Sequence, residues 1–241
     1  MFIVEDNPKS IVSESYKTLR TNIRYSSLDK EIRSIVVTSS RAGEGKSMTS
    51  CNLALSFAQE NKKVLLMDCD LRKPSIHKKF KISNLRGLSD ILVGKGEIEN
   101  LEYKYNDYLS ILTSGPIPPN PSEMLGSNQL TLFINKLKEM YDLIILDSAP
   151  LQAVTDAQLL SVKADGTIIV VEAEKTKKDD IVSAKELLQK VDANILGLVL
   201  NKSKNREKKY YYYYGERGER KKKRKVIDNR WVGVNRSFDY E

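Results

Sequence analysis

Cysteine, histidine and tryptophan are scarce in this chain, with two, one and one among 241 residues. Cys51 and Cys69 lie inside apolar segments without metal-ligand spacing, which excludes a disulfide framework or a zinc scaffold and fits a reducing cytoplasm. His77, on an expected loop, has no histidine or cysteine companion and is assigned no role. No apolar run approaches the ~20 residues that cross a bilayer, and charges among the first residues leave no room for the apolar core of a secretory signal. Work at a membrane would need a second protein to hold the chain there.

An excess of charge is also missing from most of the chain. The formal net charge of +8 reads as a nucleic-acid or membrane signal until it is located. Residues 1–201 carry 26 basic and 26 acidic side chains; residues 202–241 carry 14 and 6. The basicity therefore belongs to a tail. Hydrophobic periodicity stops at Asn201, and the polar, repetitive stretch beyond it is expected to be mostly disordered, with Trp231 available as a local anchor.

What is present is a core. At this length, 40% hydrophobic residues can bury one substantial domain. Short apolar runs at 35–38, 64–67, 109–112, 143–146, 167–171 and 195–200 read as strands buried on both faces. Helical patterns at 46–60, 127–141 and 179–191 alternate with them, which predicts an α/β domain: a mostly parallel sheet with helices on both faces. A further helix at 13–26, with Ser13 as N-cap, precedes the first strand. Four prolines between Gly115 and Gly126 predict a stiff loop. The chain thus divides into an N-terminal extension and helix (1–33), an α/β body (34–201) and a basic tail (202–241).

After the first strand comes Ser40-Arg41-Ala42-Gly43-Glu44-Gly45-Lys46-Ser47, followed by an apolar helix. A Gly-Lys-Ser tripeptide alone is a common accident, but strand, loop and helix in this order are the context a phosphate-binding loop requires. Glycines let backbone N–H groups turn toward phosphate oxygens, the lysine reaches the outer phosphates, and the Ser47 hydroxyl binds Mg²⁺. These features predict a three-layer P-loop NTPase fold that binds ATP and Mg²⁺. Ser40 stands where the usual pattern has glycine.

Two further signals follow. Leu65-Leu66-Met67-Asp68-Cys69-Asp70-Leu71-Arg72 is an apolar strand ending in two carboxylates spaced i, i+2, on one side of the strand at the edge where open α/β sheets bind ligands. One carboxylate could hold Mg²⁺ while the other receives a proton; both could equally be solvated turn aspartates. Leu143-Ile144-Ile145-Leu146-Asp147-Ser148-Ala149-Pro150 has the form of a strand delivering Asp147 toward a metal.

The tail carries Tyr210, Tyr211, Tyr212, Tyr213 and Tyr214 in one unbroken run. A core strand is excluded by the flanking Lys208-Lys209 and Gly215-Glu216 and by the lack of alternation. Stacking on nucleic-acid bases and phosphate acceptance remain, and no RNA-binding signature accompanies the first. The Lys221–Lys225 run reads as a solvated charge block, with an anionic membrane surface as a second reading.

The three motifs in this order resemble the bacterial tyrosine kinase family of capsular and exopolysaccharide synthesis, within the deviant Walker ATPases. Leu65–Arg72 matches the family's pattern of three apolar residues followed by Asp-x-Asp-x-Arg, and the segments 118–123 and 155–157 are also similar. The likeness covers roughly residues 10–201 plus the tyrosine run. Ala42 and Ala149 replace family prolines. Glu14-x-x-Lys17-x-x-Arg20 departs from the family's oligomerisation motif by a lysine, which lacks arginine's bidentate fork.

The resemblance implies an autokinase that transfers the ATP γ-phosphoryl group to its own tyrosines, Tyr210 to Tyr214. It implies Lys46, Asp68, Asp70 and Arg72 as catalytic residues, with Asp68 receiving the tyrosine proton. Nucleotide contacts are implied for Gly43, Glu44, Gly45, Lys46, Ser47, Met48 and, at the adenine, Asn201; metal contacts for Ser47, Asp70 and Asp147. Implied partners are a membrane-embedded adaptor of polysaccharide chain-length control, other copies of the chain, and a cognate tyrosine phosphatase, with no specific nucleic acid. The implied location is cytoplasmic, at the membrane through that adaptor. The competing reading is a partitioning or positioning ATPase, a nucleotide switch without kinase activity; the signature lysine of such proteins falls at Arg41.

Overall fold

The computed structural model describes residues 2–26 and 31–203. The chain begins with a short helix α1 (Ile3–Asp6) and a longer α2 (Ile11–Arg24), then enters strand β1 (Ser34–Ser39). It continues through α3 (Lys46–Ala58), β2 (Val64–Asp68), α4 (Ile76–Phe80), α5 (Leu88–Leu92), α6 (Ile98–Leu101), β3 (Tyr103–Asn106) and β4 (Leu109–Leu112). The second half holds α7 (Pro121–Gly126), α8 (Asn128–Met140), β5 (Leu143–Asp147), α9 (Asp156–Ser161), β6 (Gly166–Glu172), α10 (Lys178–Gln189) and β7 (Ile195–Asn201).

The strands form one sheet in the order β3-β4-β2-β5-β1-β6-β7, parallel throughout except for the antiparallel β3–β4 pair. Alternation explains why the inner strands are apolar at every position. Ile35, Val37, Leu66 and Ile145 enter the core cluster under α1–α3, whereas Val36, Leu65, Met67 and Ile144 enter the cluster under α5, α7 and α8. Each such fully buried Leu or Ile stabilises the fold by roughly 1.5–3 kcal/mol. A third cluster, containing Ile169, Val171, Ala184 and Leu188, packs α9 and α10 on the sheet near β7. The three-layer α/β architecture is as the sequence pattern predicts.

Four expectations need correction. Ser10, not Ser13, caps α2: its hydroxyl accepts from the Ser13 amide at 3.1 Å, while the Ser13 hydroxyl turns back to donate to the Ile3 and Asn7 carbonyls. The proline-rich segment is not loop to its end, because Pro121 opens α7, where its missing N–H costs nothing at the first helical position. β7 is an edge strand, not one buried on both faces: Leu198 and Leu200 are exposed, and its register with β6 shifts at Thr167/Ile168, which blunts the open edge. His77 lies in α4 rather than on a loop. β3 was invisible to pattern reading because Tyr103–Asn106 is mostly exposed and has no apolar alternation.

Helix α2 packs on α3, and its charges find partners within the chain. Arg20 donates to the Ser56 carbonyl and pairs with Glu60, which also pairs with Arg24; Lys17 pairs with Glu14 at 2.7 Å. Phe2 and Val4 of the N-terminal segment are buried in the same core cluster.

Candidate active site

Strand order assembles the site. β5 lies between β1 and β2, so the three motifs, up to about 100 residues apart in sequence, end side by side at one edge of the sheet. Asp68 is in register with Asp147, and Val37 of β1 is in register with Asp147 from the other side.

The loop from Ser40 to Gly45 wraps around a buried carboxylate. Glu44 is only 4% exposed; it accepts from the Ser40 hydroxyl at 2.9 and 3.0 Å, from the Arg41 amide at 2.8 Å and from the Thr176 hydroxyl. This gives the serine at position 40 a use that glycine could not supply. Gly43 and Gly45 have φ of +87° and +97°, and a Cβ at Gly45 would stand 2.1 Å from Asn201 Nδ2. Asn201 donates to the Glu44 carbonyl at 2.9 Å, and Lys202 donates to the Gly43 carbonyl and to Glu172, each at 2.9 Å. The end of β7 is thus tied to the loop. Arg41 donates to Asp180 at 2.7 Å.

At the start of α3, Lys46 Nζ lies 3.0 Å from Asp70 Oδ2, 3.3 Å from Ser47 Oγ and 3.8 Å from Asp147 Oδ2. Burial pulls the Lys46 pKa down, but the charges of Asp147 and Asp70 outweigh it and hold the group as a cation. Burial raises the Asp147 carboxyl. It also raises Asp68, to about 7, with the facing Asp147 charge adding to the shift and the Ile76 and Ser75 amides opposing it. Two carboxylates, Asp70 and Asp147, therefore share one ammonium, with the charge of Asp68 nearby.

Asp147 Oδ1 accepts from Ser50 at 3.0 Å, but its Oδ2 is buried without a hydrogen-bond partner. A buried oxygen with no hydrogen bond among the described residues, amid surplus negative charge, is the environment a divalent cation completes, so the residues fit Mg²⁺. Among the described residues no group of three or more His, Cys, Asp or Glu forms a metal cage.

The other predicted residues take distinct positions. Asp68 accepts from the Ser75 and Ile76 amides at 2.9 Å each and from the Asp70 amide at 3.2 Å. Arg72 points to the fully buried Asp156, with Nε–Oδ2 at 2.8 Å and Nη2–Oδ1 at 3.2 Å, and to Ser122 at 2.7 Å; Ser122 donates to the same carboxylate. This rivet joins the loop after β2 to α7 and α9. Met48 is partly exposed in the first turn of α3. Tyr210 to Tyr214 lie outside the described residues. Sequence reading missed Ser50, Thr176 and the Glu44 side chain; only Ser50, three residues after Ser47 on the same helix, left a usable signal.

Fold and loop together define a P-loop NTPase, and the model of the ParA family, described as "NUBPL iron-transfer P-loop NTPase", matches residues 31–229. Tyrosine-protein kinase YwqD of Bacillus subtilis is 44% identical over 203 residues, 84% of this chain and 86% of that protein. The putative tyrosine-protein kinase CapB of Staphylococcus aureus is 40% identical over 83% of this chain and 88% of that protein. Among solved structures, the chimerical protein CapA2B2 aligns with a TM-score of 0.80 at 39% identity, covering 84% of this chain and 89% of that one. By contrast, the septum site-determining protein MinD from Pyrococcus horikoshii, complexed with Mg-ADP, aligns with a TM-score of 0.60 at 25% identity, covering 71% and 72%. The chain belongs to the bacterial tyrosine-protein kinases of the ParA family, and the switch-ATPase reading is not favoured.

Proposed function

We propose that this chain transfers the γ-phosphoryl group of ATP to Tyr210–Tyr214, its own or those of a neighbouring copy, in the control of capsular or exopolysaccharide synthesis. The observation that carries the mechanism is Lys46 held between Asp70 and Asp147, while the buried Asp147 oxygen that faces it at 3.8 Å has no hydrogen bond among the described residues. Residues 34–201 form the catalytic body, 202–241 the substrate tail and 1–33 an extension.

The amides around Gly43 and Gly45 and the Lys46 ammonium bind and orient the phosphates, spreading the charge that builds up during transfer. Ser47, Asp70 and Asp147 would hold Mg²⁺ directly or through water; when bound, the ion neutralises charge on the phosphate oxygens. The P-loop match and the Mg-ADP complex of MinD support nucleotide and magnesium binding as a pair. Asp68, raised toward neutrality, is suited to receive the tyrosine proton late in a loose transition state. Arg72 positions the loop that carries Asp70. Asn201 serves the nucleotide from the end of β7.

As partners we infer a membrane adaptor that activates the kinase and further copies of the chain, from its membership of the bacterial tyrosine-protein kinases. No helix among the described residues is long and apolar enough to cross a membrane.

The test is incubation of the purified chain with Mg-ATP, with and without a candidate adaptor tail, and mapping of phosphotyrosine by mass spectrometry. Label is expected on Tyr210–Tyr214 and is expected to vanish in Lys46→Met and Asp68→Asn variants that remain folded. Undiminished label in either variant refutes that residue's role, and no label in the wild type under both conditions refutes the kinase assignment.

A further inference from the structure

Between the β2–α4 connection and the segment after β4 lies an open groove of about 600 Å³. Lys73, Lys78 and His77 line one wall, and Gly115, Pro116 and Ile117 the other. No carboxylate among the described residues lines it. Neither Lys73 nor Lys78 has a side-chain ion pair or hydrogen bond among the described residues, whereas the third cation at the rim, Arg72, is already bound to Asp156. The Nδ1 of His77 is buried and has no hydrogen-bond partner among the described residues. Ile117 is 63% exposed and offers an apolar face opposite the cations.

The groove and the catalytic carboxylates share one stretch of backbone. The amides of Lys73, Ser75 and Ile76 donate to Asp70 and Asp68. The side chains of Lys73 and Lys78 border the groove. Lys73 and Ser75, whose backbone helps hold the two carboxylates, thus also border a groove with two unpaired ammonium groups and an apolar residue. An aryl phosphate has the matching chemistry: a dianion for the lysines and a ring for Pro116 and Ile117.

Charge decides which form of the tail fits. Residues 202–241 carry 14 basic and 6 acidic side chains, so the unmodified tail is repelled by a cationic groove. Each phosphotyrosine adds about −1.5 to −2 charge at neutral pH, so five would roughly cancel the tail's excess of eight and place the new charge within the tyrosine run. Reach permits the contact. From β7 to β4 is five strand spacings, about 24 Å at ~4.8 Å each. Tyr210–Tyr214 lie 7–11 residues past Ser203, an extended reach of roughly 23–40 Å.

We propose that this groove is a phosphotyrosine-binding subsite that holds an already phosphorylated tyrosine of the Tyr210–Tyr214 run while another tyrosine of the run occupies the catalytic site. The subsite makes modification of the run progressive: each phosphate retained on Lys73 and Lys78 keeps the next acceptor nearby. This rests on the kinase reading for its role, but not for the binding event itself.

The binding is measured without ATP, on full-length chain with Tyr210–Tyr214 changed to Phe, by fluorescence anisotropy at fixed salt. Three probes are peptides: residues 206–216 phosphorylated at Tyr212, the same peptide unmodified, and the same peptide with Glu at 212. The fourth, inorganic phosphate, is added as competitor. The phosphopeptide is expected to bind at least tenfold tighter than the other two peptides. Lys73→Ala with Lys78→Ala is expected to abolish that margin while leaving Mg-ATP affinity unchanged. Equal binding of the three peptides, an unchanged margin in the double variant, or complete competition by millimolar inorganic phosphate overturns the proposal. A phosphorylation time course separates the two readings. With the subsite lost, singly phosphorylated chains accumulate where the wild type moves to multiple phosphates. Identical distributions overturn the subsite alone, whereas no phosphotyrosine in any chain overturns the kinase reading.

Discussion

The side-chain amide of Asn201, the last residue of the last strand, donates to the carbonyl oxygen of Glu44 in the phosphate-binding loop at 2.9 Å. The contact spans 157 residues of sequence and fixes the loop's approach to β7. Gly45 is the residue this closeness demands, since a Cβ there would meet Asn201 Nδ2 at 2.1 Å on a backbone with φ of +97°. Gly45→Ala is expected to weaken Mg-ATP binding by roughly 5- to 150-fold, the equivalent of about 1–3 kcal/mol of backbone strain. Isothermal titration checks this, and near wild-type affinity would show that the loop adapts.

Glu44 should matter through its side chain. Its carboxylate gathers Ser40, the Arg41 amide and Thr176, none of which touches the metal-binding carboxylates. Thr176→Val is expected to cost about 1–3 kcal/mol of stability by leaving one carboxylate contact unmade, with most of the activity kept at saturating ATP. Denaturant melts and a KM-against-kcat comparison would reveal the opposite pattern if Thr176 served the chemistry directly.

Arg72 holds Asp156, which has no exposure to solvent, through two nitrogens. Arg72→Lys keeps the charge but loses the planar fork, and is expected to destabilise the protein by about 1–3 kcal/mol. Asp156→Asn combined with Arg72→Lys should cost less than the sum of the two single changes. Strict additivity would remove the rivet from the account.

Asp165 offers a pH test away from the site. Burial alone would raise its carboxyl, but hydrogen bonds from Lys138 and Ser34 prevail and hold it below the usual carboxylate value. A lowered folded pKa stabilises the protein above the ordinary value near 3.9, and that stabilisation is lost as pH falls through the folded value. Asp165→Asn should therefore be less stable than wild type by about 1–3 kcal/mol at pH 7, with the gap narrowing below pH 4. A gap that stays constant from pH 7 to 3 would contradict the ionised role.

The sequence alone determined six of the seven strands, the glycine-rich loop and the three carboxylates, because each is written in a local period or spacing. Runs such as Leu143–Leu146 are apolar at every position since both faces are covered, and Gly43 and Gly45 are required by their own φ. Tertiary structure decided what those residues meet. No local pattern says that β5 inserts between β1 and β2, and only that order sets Asp68 opposite Asp147 and brings Asp147 to the lysine that Asp70 also holds. The same holds for Glu44 with Thr176 and Arg72 with Asp156, partners 132 and 84 residues apart. Local propensity is a property of neighbouring residues, whereas burial and charge balance at the site depend on which distant segments the sheet brings together.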